Sequence, residues 1–537
     1  MLEIQPGQSV KAKLTGEETT SMLAFACRTP YENALSLASD ARQVLELDEN
    51  PTLEKFGVSI DKQLATVDGR VLNVPAVAYI DASKKKVSIN PYNGSWNMKA
   101  VKVVKKGSLI SRWTYMNLLT RETDRQVGRG VMEEFARFLA NDMGINITTS
   151  PIQLPKHFML KERAQDGPSL TNFFNWAEEN RVQHIMFILG QKDSSGLYNQ
   201  IKRLGDCTHG IHTNCVVAQH LFKEKNLSYY SNVGLKINLK SGGVNHKLSN
   251  DFGLLLEGKT MLVGYDVTHP TNMNVTKGNE PPSLVGLVAS VDPDLGQWPA
   301  VAWEQTAKQE ILGSQLTDAF KSRLRLWQNK NSKRLPENIV IFRDGVSEGQ
   351  FAQVIDTELP MMREACRQTY PSGKQPKLSI IVSVKRHQTR FYPTSTADMS
   401  RSGNVKNGTV VDRGITLAPY WDFFLTAHEA LQGTARPAHY TVLLDEVFRC
   451  KYGERAANEL ERLTHELCYL FGRATKAVSI CPPAYYADIA CERARAHRPE
   501  YDVSDVESVG TSTSTGSSGT AAVRQVHSSL QDTMYYI

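Results

Sequence analysis

Short unbroken apolar runs, rather than alternating ones, mark the C-terminal half of this chain. Ile339–Phe342 and Met261–Gly264 are each four residues long with no polar position, the pattern of strands buried on both faces. PKLSIIVSVKRH (376–387) carries a third such run, and HYTVLLDE (439–446) reads as a hairpin-like strand. AANELERLTHELCYLFGRATK (456–476) predicts one long helix, and PPAYYADIACERARAH (482–497) another, opened by Asp488.

Upstream, strand and helix signals alternate across 108–247. RGVMEEFARFLANDMG (129–144) is amphipathic and ends near Gly144; SLTNFFNWAEENR (169–181) offers Ser169 or Thr171 as N-cap. The buried strand VQHIMFILG (182–190) passes through the polar turn QKDSSGLY into a helix, LYNQIKRLGD. That strand–loop–helix order predicts a small parallel-sheet domain. In the first 107 residues, YENALSLASDARQVLEL (31–47) has helical periodicity with Ala34, Leu35, Leu37, Ala38, Ala41 and Val44 as the apolar face. RVLNVPAVAYI (70–80) is extended, with Pro75 arguing against a central strand. SDVESVGTSTSTGSSGTAA (504–522) is low in complexity and predicts a mobile loop, with order returning at VRQVHSSLQDTMYYI. The apolar end MYYI is expected to pack inside.

Composition changes this picture little. The chain has 537 residues, 41% of them hydrophobic and 22% charged, which fits several packed domains. A net charge of +6 permits a nucleic-acid partner without requiring one. Eight cysteines without a Cys-x-x-Cys pair do not indicate zinc, and Cys215, Cys468 and Cys491 read as reduced core residues. There is no secretory signal and no run of about 18 apolar residues, so a reducing, cytoplasmic setting with no membrane contact is expected.

The chemistry lies where the apolar runs stop. Ile339–Phe342 is followed by Arg343-Asp344-Gly345, and Met261–Gly264 by Tyr265-Asp266. Asp-Gly alone is ordinary turn chemistry. Two buried strands that each deliver an aspartate at their C-terminal end are a stronger signal, because neighbouring carboxylates would repel unless a cation sits between them. Hard oxygen donors of this kind suit Mg²⁺ or Mn²⁺, and two metals about 3.5–4 Å apart would clamp a displacement at phosphorus. Asp488 and Glu310 are further acids, whose plainer readings are a helix-dipole partner and a solvated side chain.

GYDVTHP (264–270), RDGVSEGQF (343–351), KRHQTRF (385–391), QGTARPAHY (432–440) and SICPPAYYADIACERARAH (479–497) closely resemble, in the same order, the PIWI domain of eukaryotic Argonaute proteins. LYNQIKRLGDCTHGIHTNC (197–215) and GLKINLKSGGVN (234–245) resemble the Argonaute MID domain, and PGQSVKAKLT (6–15) the end of a PAZ domain. The likeness spans nearly the whole chain and looks like a fungal, quelling-type RNA-silencing Argonaute. It implies an α/β chain: a PAZ end at 1–20, a mixed α/β linker 2 at 21–107, a Rossmann-like MID domain at 108–247 and an RNase H-like PIWI domain at 248–537, with 502–522 a disordered loop.

The resemblance also implies function. A guide RNA pairs with a complementary target RNA, which is cut opposite the guide's middle. The catalytic tetrad falls on Asp266, Glu310, Asp344 and Asp488. The first two strand acids, Asp266 and Asp344, would bridge or flank two Mg²⁺ (or Mn²⁺), Asp488 would complete one shell, and Glu310, with Glu304 a nearby alternative, would hold metal-bound water. Animal members most often have His at the fourth position, and Asp is an equally competent hard-metal ligand. Products would carry 5′ phosphate and 3′ hydroxyl.

Lys236 and Lys240, four apart, share one face of a helix or a strand; a solvated basic face is their plainer reading. By motif match, Tyr198, Lys202, Asn214, Lys236 and Lys240 resemble the pocket for the guide's 5′ phosphate. Asn214 replaces a Gln common in the family, and Tyr198 could stack on the first base. The loop Gln191–Leu197 corresponds to the one that reads that base. Lys385, Arg386, Arg390, Arg436, Arg473, Lys476 and Arg493 fit contacts to guide backbone. Trp-containing silencing proteins are implied as partners of a monomer. Two other readings stand beside a slicer: a guide-binding platform that does not cut, and an unguided RNase H-like nuclease, which would need no 5′-phosphate pocket.

Overall fold

The computed structural model describes residues 16–118, 126–155, 158, 167–190, 196–222, 227–250, 253–270, 281–498 and 525–537. The expected loop at 502–522, most of the base-reading loop and the first 15 residues lie outside them.

In chain order the strands are β1 (Arg70–Val71), β2 (Val77–Ile80), β3 (Lys86–Ile89), β4 (Trp113–Leu118), β5 (His184–Leu189), β6 (His212–Val217), β7 (Lys247–Leu248), β8 (Thr260–Thr268), β9 (Ser283–Ala289), β10 (Ala300–Gln305), β11 (Asn338–Asp344), β12 (Lys377–Val384), β13 (Thr409–Val411), β14 (Trp421–Thr426) and β15 (Ala438–Asp445). They form a nine-stranded sheet of order β1-β13-β14-β15-β12-β11-β8-β9-β10 and two three-stranded sheets, β3-β2-β7 and β4-β5-β6.

The three apolar runs are the parallel centre of the large sheet, β8, β11 and β12. Leu262, Val340, Phe342 and Ile381 enter the core on one face. Met261, Val263, Tyr265, Ile339, Ile341 and Ile380 enter the core on the other. Each such side chain contributes about 1.5–3 kcal/mol on burial, so register is strongly fixed: a one-residue slip would exchange the two faces. β15 pairs antiparallel with both β12 and β14, the hairpin-like role expected of HYTVLLDE.

The helix Pro482–Ala496 lies directly on β8 and β9, and two glycines permit it. A Cβ at Gly264 would sit 2.0 Å from the Pro483 carbonyl oxygen, and one at Gly286 would sit 2.6 Å from that of Ala487. Pro482 and Pro483 start this helix, as their missing N–H groups allow. Asp488 is therefore in its second turn, not at its opening.

In the smaller parallel sheet β4, β5 and β6 run side by side. The helices Arg129–Asn141 and Leu227–Lys240 share one core with it. Gly167–Glu179 contributes to another, with Phe173, Phe174 and Ala177 buried against Ile185 and Phe187. This helix begins before Ser169 and Thr171, so neither is its cap.

Two helix expectations need correcting. Residues 31–47 form two helices, Pro30–Ala38 and Asp40–Val44, broken at Ser39; the first is capped by Thr29 in a capping box with Glu32. Their apolar positions do not face a core: Leu35 is 52% and Val44 80% exposed. The helix from Ala456 stops at Leu467. Cys468, Tyr469, Leu470 and Phe471 are all buried, so consecutive side chains point into the core and the chain turns there instead of presenting one helical stripe.

Candidate functional site

β8 and β11 are parallel neighbours with Tyr265 opposite Arg343, so the next residues, Asp266 and Asp344, stand side by side. Strand alternation turns both toward the face covered by Pro482–Ala496, which brings Asp488 to them. Gly345 turns the chain immediately afterwards at φ 84°, and a Cβ there would lie 3.6 Å from Asp266 Oδ1. Burial pushes the Asp266 carboxyl up to about 7, with Asp488 and Glu310 adding repulsion and Arg343 opposing it. Asp344 is held well above the carboxylate range by burial, then by Asp266 and Asp488. Asp488 is raised by burial and lowered by Arg386.

Glu310 is held from two sides. Arg343 Nη2 donates to its Oε1 at 2.7 Å and to its carbonyl at 2.9 Å. His269 Nε2 lies 2.8 Å from Oε2. Ser283 Oγ lies 2.8 Å from His269 Nδ1 and accepts the Lys308 N–H. That hydroxyl is free to donate to Nδ1, which leaves the proton on Nε2 for Glu310. Glu304 instead pairs with Arg498. Between the two alternatives, Glu310 is the glutamate near enough to Asp266 to repel its carboxylate.

A divalent cation fits the Asp266–Asp344 pair chemically: two buried hard-oxygen donors repel each other, and a cation relieves that repulsion. Among the described residues, three or more metal-binding side chains do not converge on one point.

The second feature is a cavity of about 170 Å³ lined by Tyr198, Lys202, Asn214, Cys215, Lys236, Arg473, Ile489, Glu492, Arg493, Tyr536 and Ile537. Lys202 is buried, donates to Thr213 O and Oγ1 at 2.9 and 2.8 Å, and sits 5.2 Å from the Tyr198 ring centre. Asn214, at the third position of β6, is buried with Oδ1 lacking a partner. Lys236 is lowered to about 8 by burial and then by Arg473, Lys202 and Arg493. Arg493 Nη1 donates to Asp206 Oδ2 at 2.8 Å and to the Tyr535 carbonyl. Asp206 is fully buried, and Arg493 and His497 hold it below the carboxylate range against the opposing effect of burial.

Four of the five expected pocket residues thus line one cavity. Lys240 does not: it is 1% exposed and its Nζ donates to the Tyr535 carbonyl behind the wall. Arg473 and Arg493, expected along a backbone channel, are pocket residues. Glu492, Tyr536 and Ile537 also line the wall, so the apolar C-terminal end packs inside as expected and borders this cavity. Asp206 carried no signal, since a lone Asp after a helix resembles any surface acid.

The remaining cations divide. Lys385 bonds Ser479 and, with Arg436 and Arg390 near by, is lowered chiefly by burial. Arg390 also donates to the carbonyls of His387 and Thr389. Arg386 faces Asp488. Lys476 borders a separate cavity of about 480 Å³ with Tyr92, Arg401 and Leu431.

A Piwi domain model matches residues 184–498, and an Argonaute linker 2 domain model matches 32–79. Protein argonaute PNH1 of Oryza sativa subsp. japonica is 32% identical over 99% of this chain and 55% of its own length. Protein argonaute 5 of Arabidopsis thaliana is 33% identical over 99% of this chain and 52% of its own length. The chain spans about half the length of these relatives. Among solved structures, Kluyveromyces polysporus Argonaute with a guide RNA aligns at TM-score 0.78 and 28% identity, over 99% of this chain and 63% of that one. The N. crassa QDE-2 AGO MID-PIWI domains align at TM-score 0.57 and 37% identity, over 81% of this chain and 100% of that one. Among the described residues, no helix is long and apolar enough to cross a membrane.

Proposed function

Because this chain belongs to the Argonaute family, we propose that it holds the 5′-phosphorylated end of a guide RNA and cuts the complementary target RNA. One observation carries the reading: the helix Pro482–Ala496 presents Asp488 to the strand acids and, within two turns, Ile489, Glu492 and Arg493 to the cationic cavity. A phosphate-binding end and a hydrolytic centre are thereby fixed on one rigid element.

In the cavity, Lys202, Lys236, Arg473 and Arg493 surround a volume suited to a terminal phosphate, which carries about −1.5 to −2 charges. Their mutual repulsion, which adds to burial in depressing Lys236, is relieved when an anion enters. Tyr198 offers its ring to the first base, and Asn214 lines the same wall beside Lys202.

At the acid cluster, Asp266, Asp344 and Asp488 would hold Mg²⁺ or Mn²⁺. Bound there, the cations would activate water and stabilise the leaving 3′ oxygen. Asp266 and Asp344, whose carboxyls burial raises, would serve as ligands in their ionised form. Glu310, fixed by Arg343 and His269, orients a water for in-line attack. Lys385, Arg390 and Arg436 would meet backbone phosphates, and recognition of the heteroduplex would be by shape. Products carry 5′ phosphate and 3′ hydroxyl.

A guide-binding platform without cleavage is the second reading: among the described residues, three or more metal-binding side chains do not converge on one point. The test is binding of a short single-stranded RNA with and without its 5′ phosphate, to the wild type and to Lys202→Ala/Lys236→Ala. Mg²⁺-dependent target cleavage, compared with Asp266→Ala, follows. Phosphate-dependent binding without cleavage selects the platform; binding indifferent to the phosphate rejects the guide pocket.

A further inference from the structure

Glu358 lies outside every motif considered above and has no exposed surface. It ends a wide-turned helical segment, Val354–Glu358, on the face of the sheet opposite the acids. Single wide turns of this kind re-aim side chains and recur at functional sites.

Its two oxygens are used on two different elements. Oε2 accepts the Tyr265 hydroxyl at 2.7 Å, from the strand position immediately before Asp266. Oε1 accepts the Leu312 backbone N–H at 2.9 Å, two residues after Glu310. Arg343, immediately before Asp344, stacks its guanidinium 5.1 Å from the Tyr265 ring centre and approaches Glu358 Oε2 with Nε at 3.6 Å. The same guanidinium grips the Glu310 carboxylate and carbonyl. Thus Tyr265, Arg343 and Glu358 join both catalytic strands to the segment that carries Glu310.

We infer that Glu358, clamped by Tyr265, is a positioning residue that docks the Glu310 segment against the strand acids. It touches neither RNA nor metal and acts through Leu312 and Arg343. The inference rests on Glu310 belonging to the acid centre proposed above. A buried carboxylate that accepts from a neutral hydroxyl and a backbone amide beside a guanidinium is costly to leave half satisfied. Loss of one partner should therefore release the segment while both strands keep their ladders.

Tyr265→Phe removes one hydroxyl and keeps the ring under Arg343; Glu358→Gln keeps the shape and removes the charge. Hydrogen exchange in both variants should accelerate over residues 306–314 by at least about tenfold, the factor matching a charge-assisted hydrogen bond of roughly 1.5 kcal/mol. Protection in β8 and β11 should not change. Unaltered exchange at 306–314, or equal loss in β8 and β11, overturns the inference. Cleavage supplies the second readout: Tyr265→Phe should lower the single-turnover rate and raise the Mg²⁺ needed for half-maximal rate. Added to Glu310→Ala, it should cost nothing more in residual cleavage, and a further loss of that rate overturns the inference. If the wild type binds guide but cuts nothing, the cleavage proposal fails, and exchange still decides the role of Glu358.

Discussion

Lys236 and Lys240 stand one helical turn apart on Leu227–Lys240, yet only Lys236 reaches the phosphate-sized cavity. Lys240 directs its ammonium to the carbonyl of Tyr535. The two lysines do different work: one faces the cavity, the other ties the C-terminal residues to the wall.

Lys240→Met should therefore loosen the C-terminal residues more than it weakens phosphate recognition. The buried Tyr535 carbonyl keeps only the Arg493 donor, a cost of about 1–3 kcal/mol if it goes under-satisfied. Thermal unfolding and the affinity ratio between phosphorylated and unphosphorylated RNA separate the effects. Lys236→Met should reduce that ratio at least about tenfold, as expected of a charge-assisted contact.

Phosphate binding should peak between about pH 6 and 8. Below the second phosphate pKa of about 6 the ligand takes up a proton and loses charge. Lys236, lowered to about 8, loses its own proton as pH rises through that value. Binding a dianion raises the lysine's pKa, so complex formation near pH 8 should take up protons. Titration calorimetry in buffers of different ionisation enthalpy measures this uptake, and Lys236→Met should abolish the lysine's part.

Asp266→Asn should remove cleavage and make the metal-free protein more stable. The folded carboxyl titrates at about 7, above its unfolded value of 3.8. Between those values the native state binds more protons, so stability falls as pH rises through this window. In EDTA at pH 8 the variant should melt a few degrees above wild type, a shift of the size about 1–2 kcal/mol produces. Mg²⁺ should stabilise the wild type and do little for the variant.

Gly264→Ala should damage both sites at once. Its Cβ would meet the backbone of Pro483 at 2.0 Å, and backbone cannot give way as a flexible side chain can. Displacement of Pro482–Ala496 moves Asp488 and Arg493 together. Cleavage and 5′-phosphate discrimination should fall in parallel, with a stability loss above about 3 kcal/mol.

Much of this was legible before any coordinates. The runs at 261–264 and 339–342 announced doubly covered strands, and an aspartate at the end of each announced the acid pair. Distance in sequence hid the rest. Nothing local to Asp206 or Glu358 distinguishes a buried hub from a surface acid, because their partners lie on remote segments. Arg473 and Arg493 read as contacts along a guide channel, and only the fold turned them onto Lys236. The expected helix through 456–476 failed for a different reason: its period held only to Leu467, where burial on all sides replaced amphipathicity.

β1 is only two residues long, yet it pairs with β13 at one margin of the nine-stranded sheet. An unpaired strand margin is a template for other chains. Arg70 and Val71 cover that template, and so short a strand offers little backbone of its own for a newcomer to extend. At this margin the connecting segment leaves little free backbone for a second copy to pair with, whatever the chain binds elsewhere.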